Sequence, residues 1–441
     1  MTDDKFNSII NITIKNKEFR YMENEALFIS ILEEELIPAM GCTEPIALAY
    51  AAARGSELLL GTPSSIVARC SGNMIKNVRC VSIPNSDGMI GIEAAVVLGA
   101  FGGKHQLGME VLEAVSSDDR EMTKKFLSEG NCIVEYLDSD IPLHFILELT
   151  DDFDIVTVEV KHTHMNVTSI CKNGKLVFSK GSHTGEFTTD RSKLNIESIK
   201  KFSDTVPIEK IKKLFDKQIR YNMDIAYEGI SGDYGVGIGR VIRASYDDGI
   251  VTRMKAYAAA ASEARMSGCD MPVIINSGSG NQGIASSVPV IVYAREKNLP
   301  NEKLYRALAF SALLTIHQKD HIGQLSAFCG AVSASCAACA AITYMVGGTV
   351  QQIKSTIDNT LANIPGIICD GAKISCAAKI ASSIDAAMMA HFLAMQGKGY
   401  DAYTGILKEE AEETISCVGY IGKIGMRETD REIVKMMLDE K

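Results

Sequence analysis

The stretch IGQLSAFCGAVSASCAACAAITYMVGGTVQQI, residues 322–353, contains no charged side chain. Its length is sufficient to cross a lipid bilayer. Its content is mostly Ala, Gly, Ser and Cys, and it lacks the density of Leu, Ile and Phe that drives membrane insertion. We therefore predict a buried central helix that packs closely against its neighbours through small side chains.

Helical patterns continue on both sides of this stretch. Apolar residues recur at helical spacing in segments such as 252–268 and 377–397, and the connections between such segments are rich in glycine. We predict that residues 194–441 form an all-helical domain. Residues 1–63, which contain the apolar pattern ALFISILEEELI and a break at Pro38, are predicted to be a helical segment that joins this domain.

Residues 64–193 have a different pattern from these helical segments, because several runs alternate apolar and polar residues as strands do. The tripeptide Lys172-Asn173-Gly174 separates two such runs and predicts a β-hairpin. Alternation with one polar face favours antiparallel pairing. We predict a small α+β accessory domain here. The fold class is therefore α+β: a predominantly helical domain plus a smaller mixed α/β domain with an antiparallel sheet.

The overall composition restricts the class of protein. The 441 residues are 46% apolar and 23% charged, which is typical of a soluble globular protein with about two to three domains. The net charge of −10 and the lack of a basic block argue against nucleic-acid binding and favour a small-molecule substrate. The N-terminal stretch MTDDKFNSII is acidic and has no signal-peptide pattern. We expect a cytoplasmic protein with reduced cysteines, no membrane partner, and a homodimer as its assembly.

A glycine-rich segment, GSGNQG at residues 278–283, matches the pattern G-x-G-x-x-G. This pattern is typical of dinucleotide-binding folds when a helix and a parallel strand follow it. We do not adopt that interpretation, because Pro289 is expected to interrupt the helix and no parallel strand follows. We predict instead a loop whose backbone amides, with the side chains of Ser279, Asn281 and Gln282, bind a small carboxylate.

Two further motifs are weaker candidates for a site. His317 and His321 are one helical turn apart, which is a spacing that can bind zinc, but a third ligand is not evident. Either histidine is a candidate general base. Cys336 and Cys339 form a C-x-x-C pair in an alanine-rich helical stretch, which favours a place in the core over a thioredoxin-like site.

Four other cysteines lie among small residues. Cys329, Cys369 and Cys376 are separated by 40 and 7 residues, which matches no ferredoxin pattern, although thiolates on a small-residue backbone suit an iron–sulfur cluster. Cys42 precedes Thr43, which we predict to be a helix N-cap. Cys42 is therefore expected at or just before a helix N-terminus, where the helix dipole lowers the pKa of a thiol.

The segment MGCTEPIALA, residues 40–49, resembles the N-terminal signature of the L-cysteine desulfidases, which belong to the wider group of iron–sulfur L-serine dehydratases. The resemblance spans nearly the whole chain. It includes SGSGNQG (277–283), FCGA (328–331), IICDGAK (367–373) and SCAAK (375–379).

This resemblance implies a four-iron four-sulfur cluster that is bound by Cys329, Cys369 and Cys376, with one iron left open as a Lewis acid. It implies that Cys42 lies beside the cluster and acts as a thiolate base or a transient ligand. Glu44 is our candidate partner for the ammonium group of the substrate.

The function that the resemblance implies is a lyase that converts L-cysteine to pyruvate, ammonia and hydrogen sulfide by α,β-elimination. L-Serine dehydration to pyruvate and ammonia is one alternative, and a non-enzymatic iron–sulfur carrier or sensor with the same fold is another. The four cysteines and the polar glycine loop occur together, which favours an enzyme. The accessory domain resembles one that can serve regulation in the dehydratases.

Overall fold

The computed structural model of the protein describes residues 24–180, 189–323 and 325–439. The helices are α1 (24–35), α2 (Thr43–Ser56), α3 (Gly72–Val78), α4 (Gly91–Gly102), α5 (Ser117–Ser128), α6 (Ile196–Thr205), α7 (Ile208–Ser231), α8 (Ile238–Ser245), α9 (Ile250–Met266), α10 (Gly280–Glu296), α11 (Asn301–Ile322), α12 (Gly330–Met345), α13 (Val350–Asn363), α14 (Cys376–Met395), α15 (Ala411–Tyr420) and α16 (Arg427–Asp439). The strands are β1 (Pro38–Ala39), β2 (Ser65–Cys70), β3 (Cys132–Tyr136), β4 (His144–Thr150), β5 (Ile155–Lys161), β6 (Val167–Lys172), β7 (Lys175–Ser179) and β8 (Val273–Ile274).

Six strands form one sheet in the order β3-β2-β4-β5-β6-β7, and every neighbouring pair except β2–β3 is antiparallel. The predicted α+β class is confirmed, and β3 departs from the antiparallel prediction. Helices α3 to α5 lie between β2 and β3 along the chain, and such a long connection permits parallel pairing. The hairpin between β6 and β7 turns at Asn173 and Gly174, whose φ angles of 52° and 75° suit the predicted two-residue turn.

One face of the sheet packs on helix α2. Leu147 and Leu149 of β4 are fully buried, and a Cβ atom at Gly55 in α2 would lie 2.9 Å from the Leu149 side chain. Helix α4 also packs against α2, and a Cβ at Gly99 of α4 would lie 2.4 Å from the backbone of Ala49. The sheet therefore packs closely on α2, and α2 packs closely on α4.

Helix α12 lies at the centre of the helical part, as the uncharged stretch predicts. It packs against α10, α11, α13 and α14, and 14 of its 16 residues are buried. Cys336 and Cys339 are fully buried within it, so both belong to the core. Residues 325–329 precede the helix and form the loop that leads into it.

Helix α10 continues through Pro289, so the predicted interruption at this residue is wrong. Proline lacks an N–H, so Pro289 leaves the carbonyl of Ala285, four residues earlier, without its helical donor. The helix is nevertheless buried along most of its length. The Ser311 hydroxyl of the neighbouring α11 donates a hydrogen bond of 2.6 Å to the Ser286 carbonyl. Packing against neighbouring helices thus outweighs the local effect of proline here.

Strand β1 pairs with β8 in antiparallel register, with Pro38 opposite Ile274. The predicted all-helical part therefore contains a short strand, and this pairing brings the start of α2 close to the loop after β8. The first 23 residues of the predicted segment 1–63 lie outside the described residues. Within the described ranges, no helix has both the length and the apolar character that a membrane span requires.

Candidate functional site

Cys329 and Cys369 lie side by side on a short antiparallel bridge. Phe328 pairs with Ile368 in this bridge. The amide of Cys369 donates to the Ala327 carbonyl at 2.7 Å, and the amide of Cys329 donates to a carbonyl across the bridge at 2.8 Å. The two thiols are hydrogen-bonded to each other. The bridge therefore joins two cysteines that are far apart in the sequence.

Cys376 and Cys42 complete a group of four cysteines. Cys376 interacts electrostatically with both Cys329 and Cys369. It also packs with Cys42 and Met266 in a small buried cluster, in which the Cys42 thiol lies 3.7 Å from the Met266 sulfur. The structure thus brings together all four cysteines that the sequence singled out.

Four helices begin at this group. Cys42 and Cys329 are the N-cap residues of α2 and α12, Cys376 is the first residue of α14, and Ser279 is the N-cap of α10. The predicted N-cap Thr43 is the first helical residue instead. The side chains of the three N-caps make no capping hydrogen bond within the described residues, so they are available to bind other groups. Helix N-termini favour negative charge, and a cluster of thiolates supplies it.

Cationic side chains surround the Cys329–Cys369 pair. The hydrogen bond from Cys329 lowers the pKa of Cys369, and the nearby Lys76 and Lys379 lower it further. Burial lowers the pKa of Lys319, which interacts with both thiols. Lys76 is 1% exposed and pairs with Asp430 of the C-terminal helix. Lysine side chains near the Cys329–Cys369 pair therefore favour the thiolate form of Cys369.

The pKa of Cys42 departs from our expectation. Burial raises the pKa of this thiol to about 12, although the guanidinium of Arg265 opposes the shift. The sequence argument considered the helix dipole alone, and desolvation of the fully buried thiol has the larger effect. The prediction of a lowered pKa is therefore wrong for the protein without a bound metal.

The predicted carboxylate-binding loop has an unusual backbone. Ser277 and Gly278 both have positive φ angles, 49° and 71°. The loop closes through mutual backbone hydrogen bonds between Asn276 and Ser279, of 3.0 and 3.1 Å. The first helical bond of α10 runs from the Gly283 amide to the Ser279 carbonyl. The amides of residues 280–282 consequently have no acceptor within the helix and form a potential anion site.

The predicted substrate-binding side chains border this helix start. Asn281 accepts hydrogen bonds from Ser262 at 3.0 Å and from Arg265 at 3.1 Å. Gln282 packs on the start of α12, where a Cβ at Gly330 would lie 2.4 Å from its amide carbon. Its Oε1 atom is buried and has no hydrogen-bond partner in the described part of the chain. Ser279 is partly exposed at the mouth of the loop.

Glu44 lies on the other side of Cys42. Its carboxylate accepts hydrogen bonds from Thr43 at 3.0 Å and from Asn77 at 3.4 Å. It interacts electrostatically with the Cys42 thiol and with His164. Glu44 therefore supplies an anchored negative charge within the same group of residues.

Sequence reasoning missed the role of His164 and Arg265 in this arrangement. His164 lies in the turn between β5 and β6 and packs against Gly278. Arg265 lies near the end of α9 and is 2% exposed. Both side chains have a buried nitrogen, Nε2 and Nε respectively, without a partner among the described residues. Nothing in the sequence around Arg265 distinguishes it from an ordinary helical arginine, so no signal could have identified it.

His317 and His321 belong to a different surface. His317 is 2.6 Å from Glu412, and the two imidazole rings are in edge-to-face contact. Both line a cavity of about 1510 Å³ beside the end of α11. This cavity reaches Lys319 and Ala327 next to the cysteines, but Glu44 and the 278–283 loop are not in its lining. It is therefore a candidate approach to the cysteines and not the carboxylate site.

The residues present fit an iron–sulfur cluster better than a single metal ion. In the described ranges, no three His, Cys, Asp or Glu side chains are arranged to hold one ion. A cluster does not require such convergence, because each thiolate binds its own iron. Three neighbouring thiols, helix N-termini and nearby lysines are the features that an anionic cluster needs.

Comparisons with known proteins agree on the family. A model of the family described as "Serine dehydratase alpha chain" matches residues 106–435. A UPF0597 protein of Desulfitobacterium hafniense is 45% identical over 94% of this chain and 96% of its own length. A UPF0597 protein of Treponema denticola is 43% identical over 94% of this chain and 98% of its own length. The chain therefore belongs to the serine dehydratase alpha chain family and is a relative of the UPF0597 proteins.

Proposed function

We propose that the protein is an iron–sulfur-dependent lyase that converts L-cysteine to pyruvate, ammonia and hydrogen sulfide by α,β-elimination. The observation that carries this proposal is the grouping of Cys329, Cys369 and Cys376 beside the 278–283 loop, with Cys42 next to Cys376. Membership of the serine dehydratase alpha chain family supports a lyase.

Cys329, Cys369 and Cys376 would hold a four-iron four-sulfur cluster. When bound, such a cluster supplies a Lewis-acidic iron that stabilises the negative charge developing on the departing β-substituent. The three thiols come from a bridge and a helix start, both fixed by backbone hydrogen bonds. Lys76, near Cys369, favours the thiolate form that metal binding requires.

The remaining side chains bind and orient the amino acid. The amides at the start of α10, with Ser279, Asn281 and Gln282, are suited to the substrate's carboxylate. Glu44 is suited to its ammonium group, and Thr43 and Asn77 hold that carboxylate in place. Fixing both groups turns the Cα–H bond toward a defined partner, and such positioning commonly lowers a barrier by several kcal/mol.

Cys42 is the proposed base or transient ligand, because it packs with Cys376 in one small cluster and interacts electrostatically with Glu44. Burial raises the pKa of this thiol and the positive charge of Arg265 only partly opposes the shift, so the thiolate would have to form when a metal or the substrate binds. His164 is a second candidate base: burial lowers the pKa of its imidazole, which keeps it neutral and able to accept a proton. His317 is less suited, because it lines a separate cavity whose lining includes neither Glu44 nor the 278–283 loop.

L-Serine is the second candidate substrate, and the family match favours it. We favour L-cysteine because the Gly41-Cys42-Thr43-Glu44-Pro45 signature and the seven-residue separation of Cys369 from Cys376 resemble the desulfidases. A carrier or sensor would not require the carboxylate and ammonium sites that flank the cysteines.

The test is anaerobic reconstitution with iron and sulfide, followed by steady-state assays on both amino acids. We expect pyruvate and sulfide from L-cysteine, with a larger kcat/KM than for pyruvate from L-serine. A larger kcat/KM for L-serine, with negligible sulfide from L-cysteine, would identify a serine dehydratase. A brown, cluster-containing protein that acts on neither amino acid would favour the carrier.

A further inference from the structure

We propose that Arg265 recognises the carboxylate of the substrate and thereby restricts the site to amino acids in which that group is free. This inference rests on the proposed function, because it concerns how the same site selects its ligand. Arg265 would act as a specificity-determining residue that binds one end of the substrate, away from the bonds that break.

The first observation is that Arg265 is a buried cation without an anionic partner. It is 2% exposed, and no ion pair joins it to a carboxylate in the part of the chain that the structure describes. Its guanidinium donates to the neutral Asn281 amide at 3.1 Å and contacts the Cys42 thiol, while its Nε has no partner there. Leaving a charge buried without a counter-charge is strongly unfavourable, so a missing anion is implied.

Other buried cations of this protein do have such partners. Lys76 is 1% exposed and pairs with Asp430. The side chain of Arg191 is 9% exposed and pairs with Glu35 at 2.5 Å. The protein therefore follows the general rule that buried charges are paired, and Arg265 departs from it at the candidate site.

The second observation is the contact between Arg265 and the start of α10. A Cβ at Gly280 would lie 2.3 Å from Nε of Arg265, so the guanidinium is pressed against the first residue of this helix. The amides of residues 280–282 have no helical acceptor, and α10 is 17 residues long. A buried guanidinium thus lies in contact with a helix N-terminus whose first amides have no helical acceptor, and each of the two favours an anion.

The guanidinium of Arg265 and the start of α10 together favour a carboxylate as the bound anion. A guanidinium presents parallel N–H groups that match the two oxygens of a carboxylate. Asn281 accepts from one side of Arg265 and so fixes the orientation of the planar group. Glycine at position 280 leaves the space that the guanidinium occupies, which explains why a larger residue would be excluded.

A competing explanation is that Arg265 balances the charge of a metal-bound Cys376 and its neighbour Cys42, since it interacts with both. The two explanations differ in which property, ligand preference or metal content, depends on Arg265. Carboxylate recognition requires Arg265 for ligand preference and leaves the metal content unchanged. Charge balance requires Arg265 for the metal and has no effect on ligand preference.

The experiment uses the full chain reconstituted anaerobically, with Arg265→Gln and Arg265→Lys as variants. Arg253→Gln is the matched control, because Arg253 lies on the same helix but pairs with Asp248 and Glu296 at the surface. Binding of L-cysteine is compared with binding of cysteamine, which has the same amine and thiol but no carboxylate. Iron per chain and the KM for L-cysteine are measured on each sample.

We expect Arg265→Gln to retain its iron and to bind L-cysteine roughly 10- to 100-fold more weakly, with little change for cysteamine. Arg265→Lys should recover part of the loss, and Arg253→Gln should resemble the wild type. Equal weakening of both ligands, or loss of iron with an unchanged preference for L-cysteine, would overturn the proposal. If Arg265→Gln does not fold, an unchanged preference in Arg265→Lys would overturn it equally.

The two proposals fail in different ways. A protein that releases no pyruvate, but whose preference for L-cysteine over cysteamine is lost in Arg265→Gln, would contradict the lyase and support the role of Arg265. A protein that turns over L-cysteine with the same KM in Arg265→Gln would support the lyase and contradict the role of Arg265.

Discussion

His164 of the accessory sheet lies directly against Gly278 of the helical part: a Cβ at Gly278 would be 2.9 Å from Cε1 of the imidazole. The connection between β5 and β6 thus reaches the candidate substrate loop through one side chain. Gly278 also has a φ angle of 71°, so two independent reasons favour glycine at this position.

We expect Gly278→Ala to destabilise the protein more than Gly174→Ala does. Gly174 has a similar φ of 75° but has open space around its Cβ position, so its substitution carries the backbone penalty alone. The clash with His164 should add about 1–3 kcal/mol to the free energy of unfolding that Gly278→Ala loses. The measurement is chemical unfolding of both variants.

The double variant His164→Ala/Gly278→Ala provides the control for this contact. Removing the imidazole should recover most of the additional loss, because the new methyl group then meets no ring. Equal destabilisation by Gly278→Ala and Gly174→Ala would show that His164 does not press on the loop.

Replacing Cys42 by alanine should separate turnover from metal binding. As a base or transient ligand, Cys42 is expected to be dispensable for the cluster but required for the reaction. Activity should therefore fall by about 10²-fold or more, while most of the iron absorbance is retained. Cys70→Ala, at a fully buried cysteine of β2, is the matched control. Iron loss equal to that of Cys329→Ala would make Cys42 a permanent ligand.

Asn281→Ala should raise KM and lower kcat for whichever amino acid is used. The substitution removes the acceptor that orients Arg265 and Ser262, and so loosens the positioning of the substrate. The absorption spectrum of the cluster should not change. Asn359→Ala is a suitable control, because this buried asparagine bonds to the backbone of residues 398 and 400. Identical kinetic parameters in Asn281→Ala and wild type would exclude Asn281 from the site.

The stability of the protein should depend on Asp358 between about pH 4 and pH 6. Burial raises the pKa of this carboxyl to about 6, and a hydrogen bond from Thr414 only partly opposes the shift. Because the native state holds the proton more tightly than the unfolded state does, Asp358 makes the protein less stable as pH rises from about 4 to about 6, and this loss of stability is complete above pH 6.

Asp358→Asn should therefore raise the Tm at pH 8 and have a smaller effect near pH 4. The change in the free energy of unfolding at pH 8 should be on the order of 1 kcal/mol. Asp401→Asn, at an exposed position, should leave the Tm unchanged at both values. A lower Tm for Asp358→Asn at pH 8 would show that the charged form is stabilised by the surrounding residues.

Periodic features of the chain were predictable because they depend on local patterns. The uncharged stretch correctly predicted the buried helix α12, and the alternating pattern with its Asn-Gly turn correctly predicted the β6–β7 hairpin. The four cysteines were found through their small-residue settings and the family resemblance. The domain boundaries near residues 63 and 193 stay predictions.

The errors arise where tertiary contacts override local rules. Pro289 lies within α10 because neighbouring helices hold it there. The pKa of Cys42 rises because distant segments exclude water from it. Arg265 and His164 could not be identified in advance, because their roles depend on contacts with the loop after β8 and not on their own sequence neighbours.

Iron per chain in single variants tests most directly whether Cys329, Cys369 and Cys376 hold one cluster. Each protein is reconstituted anaerobically, and iron, acid-labile sulfide and absorbance are measured. Cys339→Ala is the matched control, since this cysteine is fully buried in α12. We predict that alanine at any of the three positions abolishes the cluster, because a three-point site has no spare ligand, and that Cys339→Ala retains it. Wild-type iron content in any one of the three variants would contradict the claim.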